Sequence, residues 1–406
     1  MAEISLCMIV RDERETLARC LDSVKEAVDE IIIVDTGSKD ETREIARRYT
    51  PHVYDFFWKD DFSAARNESF AHATRDFLMW LDADDVVENA EALVRFKRDV
   101  LDHYDCVTLA EAPMVSPRQA LKYIDEKRGQ MDMMIQFQSM CADCLYTDYA
   151  HTAFSLRRLK RVWDLWQRKL RGKAWNMLYL ENHDHPRVIS RYGSEQYREQ
   201  SGKALAAAYL FQQGTPFVYQ GQEIGMTNWR PAHTDMYEDV QSRNFMPRLP
   251  EKVRLRWLWL GSRDSARTPM QWDDTVNAGF TAGTPWFYVN DNYREINVEA
   301  QEHDPDSLLN FYRRAIALRK RLPVVREGKY RDCCPLAGSL YLYTREMKGQ
   351  RLLVACSFTE RPLVVTPPKG YDFSKGRLVL QNYPVADPAI PFCTRPYETR
   401  VYLFEE

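Results

Sequence analysis

The chain has 406 residues, is 45% hydrophobic and carries a formal net charge of −3. That is apolar sequence enough for two or three packed domains, and the near-neutral balance gives no case for nucleic acid or an anionic membrane as partner. No stretch approaches the roughly 20 apolar residues of a membrane span. The N-terminal apolar run stops at Arg11-Asp12-Glu13, so no signal peptide is expected. Nine scattered cysteines read as reduced thiols of a cytoplasmic protein. Cys141-x-x-Cys144 has no second pair and reads as ordinary packing rather than a metal or redox motif.

Residues 4–10 form an apolar run ending in charge, as a buried parallel strand does. Glu15–Val28 places Leu17, Cys20, Leu21 and Val24 at helical spacing. A second strand is expected at Ile31–Val34, followed by Asp35-Thr36-Gly37-Ser38-Lys39-Asp40. Ser38 is expected to cap a helix over Glu41–Tyr49, with Glu41 completing a capping box. Val53–Trp58 reads as a third strand and Phe77–Leu81 as a fourth, ending in Asp82-Ala83-Asp84-Asp85. Alternating strands and helices imply a doubly wound sheet with ligands at the carboxyl ends of its strands. An aspartate cluster there is commonly a solvated strand end, and Asp35 alone could be an Asx-turn residue. Hard Mg²⁺ or Mn²⁺, however, takes such carboxylates together with phosphate oxygens.

Ser5–Glu13, Val34–Asp40, Asp61–Asn67 and Trp80–Asp85 together resemble the nucleotide-sugar half of the inverting family 2 glycosyltransferases, which have the GT-A fold. The resemblance implies Asp35 beside the uracil and ribose of a nucleotide diphosphate sugar. It makes Asp82-x-Asp84 the metal-bridging motif, with Asp82 and Asp84 on Mg²⁺ or Mn²⁺. The acceptor half that follows in such transferases is not found. The text changes after Asp85, and the junction is placed at residues 88–98.

Beyond it, Cys106–Ala110 is expected as a short strand ending in Glu111, and Met131–Phe137 as the next. Phe154–Gly172 reads as a basic amphipathic helix. Trp175–Leu180 is a buried strand that breaks into Glu181-Asn182-His183-Asp184-His185-Pro186-Arg187, and such a cluster is where α/β barrels keep their chemistry. Glu195–Gln212 is a helix and Pro216–Tyr219 a strand; residues 228–280 form a long polar excursion, and Asp306–Leu322 a further helix. From Val324 the pattern shifts to short alternating strands, a small antiparallel sandwich.

Four stretches, around Glu111, Glu181–Arg187, Gly214–Met226 and Arg263–Phe280, resemble the α-amylase family of retaining glycoside hydrolases. The branch is that of the α-glucosidases, oligo-1,6-glucosidases and trehalose-6-phosphate hydrolases, and the resemblance runs from about Val100 to the C-terminus. It implies strands five to eight of a (β/α)8 barrel, an α-glucoside or oligosaccharide substrate, and no cofactor for the hydrolase part. It makes Glu111 the general acid/base, partly desolvated among apolar neighbours, and Asp184 the carboxylate that holds sugar hydroxyls and stabilises the transition state. His183 and Arg187 become substrate-binding residues, Arg187 as an orienting partner rather than a catalyst. The family's nucleophilic aspartate belongs to an earlier strand, and no stretch of residues 1–105 carries its motif. The expected architecture is thus α/β: a GT-A-like doubly wound half-domain (1–95), a partial barrel (96–323) and a C-terminal antiparallel β-sandwich (324–406). A truncated α-glucosidase-type enzyme fused to a nucleotide-sugar-binding segment is the leading expectation. A family 2 transferase-type nucleotide-sugar binder and a non-catalytic chimeric product are the alternatives.

Overall fold

The computed structural model describes residues 3–405 apart from 27, 59–60, 76, 86–102, 104, 114, 128–130 and 146–149. The expected junction at 88–98 lies outside the described residues. The chain divides into two compact units, Met1–Asp105 and Cys106–Glu406, so the break falls ten residues beyond the boundary expected at 95.

In the first unit, β1 (Ile4–Val10), β2 (Glu30–Asp35), β3 (Val53–Asp55) and β4 (Phe77–Trp80) make one parallel sheet in the order β3-β2-β1-β4. The chain adds β2 and β3 on one side of β1, then crosses to add β4 on the other. Among the described residues the sheet is therefore open, with β3 and β4 at its edges. β1 is buried on both faces, as its unbroken apolar run requires. Helix Leu17–Val24 buries Leu17, Cys20, Leu21 and Val24 against the sheet core. It is shorter than its apolar spacing suggested. Ser38 does not cap the next helix, which spans only Thr42–Ala46. Its hydroxyl instead accepts from the Asp12 amide at 3.0 Å, while Asp40 accepts from the Thr42 amide.

In the second unit, β5 (Leu109–Glu111) pairs in parallel with β6 (Met133–Ile135), and β7 (Met177–Leu178) with β8 (Thr215–Pro216). Strands are present at all four expected positions, each two or three residues long, in two separate pairs. A strand with one ladder neighbour keeps only the residues that this neighbour satisfies. Val107 and Leu109 are correspondingly 68% and 42% exposed. Helix Pro117–Ile124 begins with a capping box between Ser116 and Gln119. Helix Leu156–Leu170 buries Leu156, Leu159, Trp163, Trp166 and Leu170 and turns most of its arginines outward. Lys160, on the same helix, is buried and donates to the carbonyls of Cys334, Ala337 and Leu340.

Helix Arg198–Leu210 is buried on every side from Ser201 to Leu210. Its small residues Gly202, Ala204 and Ala206–Ala208 permit the close approach of neighbours on all faces. Helix Leu308–Arg321 packs beside it, and its Arg319 guanidinium caps the carbonyls of Leu210, Gln212 and Gly214. The C-terminal strands are β9 (Lys329–Asp332), β10 (Leu340–Met347), β11 (Gln350–Ser357), β12 (Val364–Val365), β13 (Arg377–Gln381), β14 (Phe392–Cys393) and β15 (Thr399–Glu405). Five of them form an antiparallel sheet, β13-β15-β11-β10-β9, and β12 pairs with β14. Val365, Phe373, Phe392 and Tyr402 fill the space between the sheet and that ribbon. One hydrophobic core runs from Leu156 on the barrel side to Leu403 on β15.

Candidate active site at the strand ends of the second unit

β7 ends at Leu178, and the buried Tyr179 and Leu180 lead into the charged cluster. Asn182 organises the turn. Its side-chain oxygen accepts from the Asp184 amide at 3.0 Å and hydrogen-bonds His185 Nδ1 at 2.9 Å. Asp184 is partly exposed, and its Oδ1 takes two guanidinium groups, Arg267 at 2.9 Å and Arg263 at 3.2 Å. His183 Nε2 lies 3.3 Å from the other oxygen, and its ring is 62% exposed. Arg267 Nε donates to the His183 carbonyl, so one arginine holds both residues of the pair.

Arg263 is itself held from behind. Its Nε donates to Asp239 at 2.6 Å, and Asp239 is fully buried. Burial pushes the Asp239 pKa up, but hydrogen bonds from Ser242 and Arg263 outweigh it and keep the carboxyl below its ordinary range. Asp264 next door accepts the backbone amides of Glu238 and Asp239; burial raises its pKa despite them. Arg263 and Arg267 come from a stretch that the sequence marks as family-like without giving either arginine a role. Their contact with Asp184 spans 79 and 83 residues of chain, a separation that local pattern does not register.

Glu111 closes β5, which runs parallel to β6, as β7 does to β8. It is exposed, which corrects the expected desolvated pocket: β5 has a ladder neighbour on one side only among the described residues. Tyr179 feels its charge. Burial chiefly pushes the Tyr179 pKa up, with Cys141 and Glu111 adding to the effect.

Arg187 also corrects an expectation. Rather than meeting substrate, it is fully buried, 3.0 Å from the equally buried Glu181, and it donates to the carbonyls of Gln220 and Ala266. Burial raises the Glu181 pKa, and Arg187 opposes the shift. The pair ties the turn after β7 to the turn after β8. Beside Arg267 lies a groove of about 320 Å³ lined by Tyr219, Gln220, Thr268, Phe280 and Trp286.

In the first unit Asp35 ends β2 and is buried. Its Oδ1 accepts from the Gly37 and Ser38 amides and from Arg43, each at 2.9 Å, while Oδ2 has no hydrogen-bond partner. Burial raises its pKa, but the bonds from Ser38, Arg43 and Gly37 bring it below the ordinary carboxylate range. Asp82 follows β4, is exposed and pairs with Arg66 at 3.1 Å. Asp84 is exposed as well. Among the described residues no cluster of three carboxylate, imidazole or thiol ligands forms at Asp82 and Asp84.

Ionisable side chains at the carboxyl ends of parallel strands are the arrangement in which (β/α)-barrel enzymes keep their sites. Residues 57–328 match the family model Alpha-amylase, described as the alpha amylase catalytic domain. The chain belongs to the α-amylase family, whose fold is a TIM barrel followed by an antiparallel sheet domain. The match begins upstream of Val100, where the sequence motifs first become recognisable. The oligo-1,6-glucosidase of Parageobacillus thermoglucosidasius is 40% identical over 323 residues, covering 77% of this chain and 57% of that protein. The trehalose-6-phosphate hydrolase of Bacillus subtilis is 36% identical over 324 residues, with the same coverages. Among solved structures, the trehalose-6-phosphate hydrolase of Bacillus licheniformis superposes with a TM-score of 0.75 at 31% identity, over 94% of this chain and 66% of that one. Isomaltulose synthase of Klebsiella sp. LX3 gives 0.74 at 33% identity, over 77% and 58%. The chain spans about 57% of the length of these curated relatives. Among the described residues no helix is long and apolar enough to cross a membrane.

Proposed function

We propose that the Cys106–Glu406 unit binds an α-glucoside between Glu111 and Asp184 and carries the acid/base half of a retaining glycoside hydrolase site. The observation that supports this reading is Asp184, oriented by Arg263 and Arg267 beyond the carboxyl end of β7, as Glu111 stands at the carboxyl end of β5. In this role Glu111 protonates the leaving oxygen, Asp184 and His183 hold ring hydroxyls, and the aromatic groove beside Arg267 takes the next sugar of an oligosaccharide. Relatives named oligo-1,6-glucosidase and trehalose-6-phosphate hydrolase make α-glucosides the natural substrate class.

A retaining hydrolase also needs a nucleophilic carboxylate about 5–5.5 Å from the acid. The family motif for it is not found in residues 1–105. Loss of one member of a catalytic unit typically costs several powers of ten in rate. The chain alone is therefore expected to bind isomaltose, measured by calorimetry, and to lose that binding in Asp184→Asn. It should release nitrophenol from 4-nitrophenyl α-glucoside no faster than Glu111→Gln does. No binding at millimolar isomaltose sinks the reading. Robust turnover abolished by Glu111→Gln shows instead that the site is complete.

A second reading concerns the first unit: binding of a nucleotide diphosphate sugar with Mg²⁺ or Mn²⁺. It is favoured by the reversal of winding between β1 and β4, since doubly wound sheets bind ligands outside the carboxyl ends of their strands at such a switch point. Asp35 and Asp82 flank it. The hard oxygens of Asp82 and Asp84 suit either ion, which would draw its other ligands from diphosphate and water. Calorimetry with UDP-glucose and Mn²⁺ tests this, and heat unchanged in an Asp82→Ala/Asp84→Ala variant refutes it.

A further inference from the structure

Behind β6 the chain makes a tight turn, Phe137–Cys144, and returns so that Cys144 and His151 form an isolated antiparallel bridge. The bridge brings four potential ligands together. His151 Nδ1 lies 3.1 Å from Asp143 Oδ2 and 3.9 Å from Cys144 Sγ, and Cys144 Sγ lies 3.8 Å from Asp143 Oδ1. The ligand atoms of these three all fall within 4.8 Å of one another. Cys141, three residues before Cys144, hydrogen-bonds the Cys144 thiol. The side chains of Asp143 and His151 are each only 3% exposed.

We propose that Cys141, Asp143, Cys144 and His151 form a structural zinc site. A tetrahedral Zn²⁺ with Zn–S near 2.3 Å and Zn–N or Zn–O near 2.0–2.2 Å sets its ligand atoms roughly 3.3–3.8 Å apart. The separations among Asp143, Cys144 and His151 are already close to those values, and the Cys141 thiol, beside Cys144, has to swing in from its place near His185 Nε2 to complete the shell. The set is chemically suitable: two thiolates, one imidazole and one carboxylate are all zinc ligands, and four protein ligands leave no open position, as in structural rather than catalytic sites.

Arg191 supplies the outer support that such sites need. Its guanidinium grips Asp143 and its Nη2 lies 3.7 Å from Cys144 Sγ. It therefore orients the carboxylate and offers a positive charge to a thiolate. Two thiolates and one carboxylate then balance Zn²⁺ and Arg191, leaving the buried cluster neutral. Arg191 also donates to the Met140 carbonyl, which ties the cluster to the Val188–Arg191 turn that follows Asp184 and Arg187. The ion would thus brace one wall of the sugar site without touching substrate. The spacing C-x-D-C-x6-H lacks the second Cys pair of familiar zinc motifs, which is why the sequence alone did not mark it.

The test uses the untagged, reduced full chain, stripped with chelator and titrated with Co²⁺, then with Zn²⁺ in competition. The expected result is one equivalent bound, with a thiolate-to-cobalt charge-transfer band and intense tetrahedral d–d bands that Zn²⁺ abolishes. Cys144→Ser should remove the band and Asp143→Asn weaken binding at least tenfold, while Cys393→Ser, at an exposed cysteine, leaves both unchanged. If Cys144→Ser fails to fold, the wild-type cobalt spectrum still decides. A wild-type protein with no saturable cobalt or zinc binding overturns the proposal. So does a cobalt spectrum without thiolate or tetrahedral character, saturable binding that Cys144→Ser leaves intact, or a Cys141–Cys144 disulfide that persists in the presence of the reductant.

Discussion

Replacing Arg187 by Met keeps most of the side-chain volume and removes the charge from a site where both partners are fully buried. Glu181 is left with one hydrogen bond, from the Val188 amide at 2.8 Å, and no counter-charge. Breaking a buried pair from one side typically costs about 3–5 kcal/mol. The Gln220 carbonyl also loses its donor, and the Ala266 carbonyl one of two, the other being the Tyr219 hydroxyl, so the upper half of that range applies, about 4–5 kcal/mol. Glu181→Gln/Arg187→Met removes both charges and should recover roughly half, because an uncharged pair carries no ionic desolvation penalty. Urea unfolding followed by tryptophan fluorescence reports both. With a slope of about 3 kcal/mol per M, the single variant lowers the midpoint by about 1.5 M. A loss below about 1 kcal/mol for Arg187→Met, or a double variant that simply adds the two single losses, would refute this account of the pair.

Gly214 sits at φ +137°, and a Cβ there would lie 2.4 Å from the Asn176 carbonyl oxygen. Gly214→Ala should force β7 and β8 apart and cost about 2–3 kcal/mol, a fall in Tm of about 3–5 °C by calorimetry. In the first unit, Asp35 has its pKa lowered on folding. Its stabilisation is complete above the unfolded value of about 4 and is lost as pH falls through the folded value. Asp35→Asn should therefore flatten the acid limb of the stability–pH curve; an unchanged limb in circular dichroism counts against the assignment.

Most of the architecture was readable because it rests on local signals. Apolar runs closed by charge placed β1, β2 and β4, and the shift to alternating strands after Val324 placed the C-terminal sheet. The site was readable where a motif lies on consecutive residues, as in Glu181–Arg187. It was less so where function depends on distant partners. Nothing near Asp184 announces that Arg263 and Arg267 will hold it. Arg187 stands in a polar motif that looks solvent-facing, yet Glu181, six residues earlier, draws it inward. Glu111 departs for the opposite reason. Its apolar neighbours in sequence promise burial, and burial needs a second strand beside β5.

The Arg198–Leu210 helix has one more implication. It shares one core with Leu178 of β7 and with the C-terminal sheet: Tyr343 on β10 donates to its Ala207 carbonyl, and Arg319 of the neighbouring helix caps its last turn. A helix enclosed in this way cannot exchange its amide protons until the surrounding layers separate, so its exchange rates should track global opening rather than local fraying. It also removes any modular seam near residue 324. Recombination that swaps the C-terminal sheet would have to replace this helix as well, and a chain cut there would expose the alanine-rich face that the sheet now covers.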